Sequence, residues 1–158
     1  VSDGDSIHAG EETDVCVARE VFGFQVREMW LWIPESEGSR RYEEKPPTND
    51  FDKALYTAER QWCFYDPGIG FKPIPRYSRH HLDAMAIVEH FRRKQCRIVL
   101  EGENWPEGGE WFCKILHPPN FKIVATGRDE AKDGGEPSFP LAVCRAALRY
   151  AAVSRGEG

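Results

Sequence analysis

The chain has 158 residues, of which 41% are hydrophobic and 30% charged, with a formal net charge of -5. That length suits one hydrophobic core, and no apolar run approaches the roughly 20 residues that span a bilayer. A mildly acidic total also excludes the broad basic surface of a general nucleic-acid binder.

The first twelve residues are small, acidic and aperiodic, and are expected to be loosely ordered. Asp14 is placed to cap a short helix with Ala18, Val21 and Phe22 on one side, which Gly23 stops. Residues 24–33 turn aromatic and β-branched, the signature of a strand, and Pro34 ends it. Rich in Trp and Met, this strand is expected as an exposed sheet edge, a hazard for a monomer that points to a partner or a homo-oligomer. Residues 35–49 are charged and carry Pro46-Pro47, which reads as a loop. Residues 51–61 are expected to add a helical turn or two, and residues 62–65 an edge strand or a packed loop. Asp66-Pro67-Gly68 makes a turn.

Ser78 is expected to cap the central helix, where Ala84, Ile87, Val88 and Phe91 recur at helical spacing with Met85 beside them. Strands follow at 96–100, 111–116 and 122–125, and their short connections favour antiparallel pairing. Residues 126–136, with Gly134-Gly135 just before their end, form a polar loop. Ser138 or Phe139 then leads to Pro140 in the first turn of a closing helix, with Leu141, Cys144, Leu148 and Ala151 on its buried face.

Charge is unevenly spread. From Lys72 to Arg97, seven basic residues stand against Asp83 and Glu89, so this segment is +5 within a chain of net -5. Arg92, Arg93 and Lys94 at a helix end complement its dipole. The five cysteines, Cys16, Cys63, Cys96, Cys113 and Cys144, have no Cys-x-x-Cys spacing and read as reduced core thiols. With no basic start followed by an apolar stretch at the N-terminal end, a cytoplasmic location is expected.

Three blocks carry a family resemblance: Val17-Ala18-Arg19-Glu20-Val21-Phe22-Gly23, then residues 76–91, then residues 138–148. In this order the chain resembles the phage ABA sandwich domain proteins, small proteins encoded by bacteriophages and prophages. Their pattern has an opening helix with a Met-Gly-like stop, a Tyr-Ser-capped Ala-rich helix, and a closing Pro-Leu-Ala-Ile-Cys-x-Ala-Ala-Leu helix. The chain departs from it at Arg79-His80-His81, where the family tends to have Thr-Asp-Ile, and at Met85, where Trp is common. Residues 35–60 look like an enlargement. The resemblance implies an α/β sandwich and a phage setting, and it transfers no catalytic residue.

The chemistry-bearing residues are sparse. His80, His81, His90 and His117 invite a metal reading, but no pair has the i, i+4 spacing that brings two ligands together on a helix. Asp66-Pro67-Gly68-Ile69-Gly70 lacks the lysine of a phosphate loop. Arg76, Tyr77, Arg79, His80 and His81 combine charge with a stacking surface at a helix N-terminus.

The sequence therefore predicts an α+β fold (an α/β sandwich), a small, mainly antiparallel sheet of about four strands covered by about three helices. Residues 13–153 form the single domain, with an insertion at 35–60, a loose segment at 1–12 and a tail at 154–158. The expected function is that of a non-catalytic phage protein, without cofactor or metal, that binds a host protein and inhibits an antiviral defence system through Arg76, Tyr77, Arg79, His80 and His81. One alternative is sequestration of a nucleotide signal on the same surface. The other is a metal-dependent hydrolase using His80, His81 and Asp83 with a carboxylate such as Glu101.

Overall fold

The computed structural model describes residues 7–105, 108–131 and 136–156. Those residues form an α+β fold with four helices and seven strands, the strands arranged in two antiparallel sheets of four and three. The chain divides into two compact units, Phe24–Ile74 on one hand and Val1–Gly23 with Pro75–Gly158 on the other.

Within Phe24–Ile74 the strands are β1 (Val26–Pro34), β2 (Arg41–Glu43), β3 (Tyr56–Asp66) and β4 (Gly70–Pro73), in the order β2-β1-β3-β4. The helix expected at residues 51–61 is only six residues long, α2 (Asp50–Leu55), capped by Asn49, whose side chain accepts from the Asp52 amide. From Tyr56 the pattern has period two, with Tyr56, Ala58, Arg60, Trp62 and Phe64 on one face, and that alternation extends the strand through the stretch read as helix. β1 is an interior strand, paired to β2 on one side and β3 on the other. The exposed edge expected at residues 24–33 is thus a correction: the edges here are the short β2 and β4, and the edge-pairing argument for a homo-oligomer does not apply to this strand.

The other unit opens with α1 (Glu11–Glu20) and continues through α3 (His81–Arg93), β5 (Arg97–Trp105), β6 (Gly108–His117), β7 (Lys122–Ala131) and α4 (Phe139–Ser154). Its sheet order is β5-β6-β7, so one sheet of four strands is replaced by two sheets because β1 finds its partners in its own neighbourhood. β7 runs six residues past the expected end at residue 125, since Thr126, Arg128 and Glu130 alternate with Gly127 and Asp129 and keep the period of a half-exposed strand. The Gly134-Gly135 expectation lies outside the described residues.

α4 lies across β7 and β6 and packs against α3 and α1. Ser138 caps it, accepting from the Leu141 amide at 3.2 Å, and Pro140 occupies the first turn. Ala142, Val143, Cys144, Ala146 and Ala147 are all at 2% exposure or less, and Leu148 is half-buried. Small residues here let helix and strand approach closely. A Cβ on Gly127 would sit 2.3 Å from both the Ala142 carbonyl oxygen and the Ala146 nitrogen, so only glycine fits at that crossing. The apolar stripe of α3 is buried as expected, and Phe91 and Ile87 each contribute about 2 kcal/mol by leaving water.

One buried cation belongs to this core. Arg145 is 8% exposed and donates to the carbonyls of Ile7 and Arg128 and to Asp129. It ties Ile7 to α4, and Glu11 and Glu12 belong to α1; residues 1–6 of the segment expected to be loose lie outside the described residues. All five cysteines are free thiols, four of them buried. Among the described residues no helix is long and apolar enough to cross a membrane.

Candidate functional site

The chain enters α3 through a turn whose hydrogen bonds are supplied from elsewhere in the fold. Asp14 does not cap α1, because that helix begins at Glu11 with Gly10 as its N-cap. Asp14 is instead 1% exposed in the first turn, and its Oδ1 accepts from the Ser78 amide and hydroxyl, both at 2.7 Å. Its Oδ2 accepts from Arg79 Nη2 at 2.8 Å and Nε at 3.2 Å. Ser78 Oγ accepts in turn from the Gly10 amide at 2.9 Å. A carboxylate stripped of water is costly unless its lone pairs are filled, and four donors fill them here. Ser78 therefore acts as a latch to α1 rather than as the expected cap of α3.

The cap position of α3 belongs to His80, whose side chain makes no capping bond. Asp83 reaches back from the first turn, accepting from the Arg76 amide at 2.8 Å and lying 3.8 Å from His80 Nδ1. Asp14 and Asp83 together fix the backbone from Arg76 to His80. The side chains on it point to two destinations.

Tyr77 is core. It is 2% exposed and stacks on Phe22 at 5.1 Å, and burial drives its hydroxyl pKa far above the usual value. The stacking role expected of Tyr77 is corrected accordingly, because a ligand has no access to its ring. Arg76, Arg79, His80 and His81 are exposed. His81 lies flat against Phe139 at 5.6 Å, and Trp111 meets the same ring edge-on at 5.4 Å.

Next to these polar groups stand two apolar residues, Leu82 and Met85, that are on the surface and not in the core. Leu82 is 76% exposed and Met85 45% exposed, and Ala86 is exposed beside them. Residues 82, 85 and 86 share one helix face, opposite the buried Ala84, Ile87, Val88 and Phe91. The signal was present in the sequence as a second apolar stripe. It was hidden because Met85 fits the edge of either stripe.

The histidines do not converge. His90 sits against Phe22 at 4.8 Å with an unpartnered, buried Nε2, and burial, then Lys94 and Arg93, push its pKa below the usual value. His117 Nδ1 lies 2.8 Å from the Tyr150 hydroxyl, and Glu101 pairs with Lys114. Among the described residues no three His, Cys, Asp or Glu side chains are grouped to hold a metal ion. The set His80, His81, Asp83 and Glu101 is therefore not assembled as a metal centre. Comparison of the chain with protein-family models, curated proteins and solved structures finds no match.

Proposed function

We propose that this chain is a small, non-catalytic, phage-encoded accessory protein that acts in the bacterial cytoplasm by binding a host protein, and that the binding inhibits an antiviral defence system. The observation that carries the reading is the outer face of α3, where Leu82 at 76% and Met85 at 45% exposure lie uncovered beside Arg76, Arg79, His80 and His81. An apolar centre with a polar, cationic rim is the composition of a protein interface. The phage setting rests on the three sequence blocks that resemble phage ABA sandwich domain proteins.

The backing of this surface also favours binding. Asp14 and Ser78 hold the turn before α3 from behind, so its side chains are presented with little ordering left to be done on association. Arg79 uses Nε and Nη2 on Asp14, which leaves Nη1 to donate outward.

Quantitative capture of bacterial proteins on the wild-type chain and on a Leu82→Asp/Met85→Asp variant tests the reading. A defence component enriched on the wild type and lost on the variant is the expected result. Equal retention by both, with the variant folded by circular dichroism, would contradict it.

A further inference from the structure

We propose that the Phe24–Ile74 unit carries a binding site for a nucleotide, formed on one face of its sheet between Tyr42, Gln61 and Phe71 with Arg40 as the phosphate ligand. The proposal does not rest on the α3 surface, and none of its residues belongs to that surface.

Register brings these residues together. Leu31 is opposite Tyr42, Gln61 is opposite Met29, and Pro73 is opposite Cys63, so their side chains share a face. Leu31, Tyr42, Gln61, Phe71 and Pro73 line a cavity of about 410 Å³, with Arg40 and Arg41 among its walls. That volume falls in the range of small-molecule sites.

The base and the phosphate of a nucleotide each have a counterpart. The Tyr42 and Phe71 rings stand 6.3 Å apart at 59°, giving two π surfaces over an apolar floor at Leu31, which is 5% exposed. Base stacking on such rings is tolerant of base identity. The Tyr42 hydroxyl donates to Gln61 Oε1 at 2.5 Å, and burial, as the main cause, raises its pKa so that it keeps its proton. With its oxygen engaged, the Gln61 amide has two hydrogens to offer to a ring nitrogen or carbonyl.

The charge comes from Arg40. Its neighbour Arg41 is committed, paired to Glu43 at 3.3 Å and placed over the rings of Trp32 and Tyr56 at 4.7 and 5.1 Å. Arg40 is exposed and has no ion pair among the described residues. A guanidinium in this condition fits a phosphate bidentately without first breaking a bond. Glu59, opposite Leu31 on the same face, repels phosphate and restricts it to the Arg40 side.

Isothermal titration of the full chain with adenosine and guanosine monophosphates, the parent nucleosides and ribose 5-phosphate tests the site. At least one nucleotide is expected to bind more tightly than both of its fragments. Arg40→Ala is expected to weaken nucleotide binding about tenfold and leave nucleoside binding unchanged, while Phe71→Ala weakens both. No saturable nucleotide binding at millimolar concentration would overturn the proposal. So would ribose 5-phosphate binding as tightly as the nucleotide, or unchanged nucleotide affinity in a folded Arg40→Ala variant. Because Leu82 and Met85 are untouched, these failures leave the capture experiment on the α3 surface to be judged separately.

Discussion

Asp14 connects segments 64 residues apart through a single buried carboxylate, and removing it should be expensive. Asp14→Ala leaves the Ser78 amide and the Arg79 guanidinium without their acceptor, and a loss of about 3 kcal/mol is expected in urea unfolding. Asp14→Asn keeps an oxygen for the two Ser78 donors while losing the acceptor of Arg79, and is expected to lose less. Neither consequence was readable in advance, because an Asp near a helix start looks like a cap from sequence and only the fold reveals that it lies one turn too deep. His90 gives a pH prediction. Its pKa is depressed in the folded state, so the unfolded chain binds the proton more readily, and stability is lost as pH falls below the usual histidine value of 6.5 through the folded value. Thermal melts between pH 7.5 and 5 are expected to show a smaller acid-induced drop in His90→Phe than in the wild type. An identical drop in both would contradict the buried neutral imidazole.

At the scale of elements, the contact between α4 and β7 depends on the missing side chain at Gly127. Gly127→Ala places a methyl group against helix backbone, which cannot swing aside as a side chain can, and a destabilisation of about 3 kcal/mol is expected by chemical denaturation. The helices were largely legible: α3 shows its buried stripe at spacings of three and four, and α4 shows its Ser138 cap and Pro140 start. The strands were legible in existence but not in extent. β3 and β7 continue through polar residues on an exposed face, and a polar alternation resembles a loop until the partner strand is known. Sheet membership was not legible either, because nothing local to residues 26–34 says that β2 and β3 flank that strand.

For the molecule as a whole, five of the seven basic residues between Lys72 and Arg97 stand at the two ends of α3, while Lys72 lies on β4, paired with Asp66, and Arg97 opens β5. Arg92 and Arg93 pair with Glu89 at the far end. Arg76, Arg79, His80 and His81 stand at the near end, where the helix exposes Leu82 and Met85, the combination that makes this the surface proposed to contact a host protein. Sequence pointed to residues 76–81 through their charge and their difference from the pattern that the chain resembles, but it included the buried Tyr77 and omitted the exposed Leu82. Tyr77 lies before the helix, which starts at His81, while Leu82 lies within it, opposite the buried Ala84, Ile87, Val88 and Phe91. The most direct measurement is the plating efficiency of a restricted phage on bacteria that carry single defence systems and express this chain. Wild-type protein is expected to restore plating against at least one system by tenfold or more, with the Leu82→Asp/Met85→Asp variant failing to do so at equal expression. Absence of rescue across all systems, or equal rescue by the variant, would contradict the account.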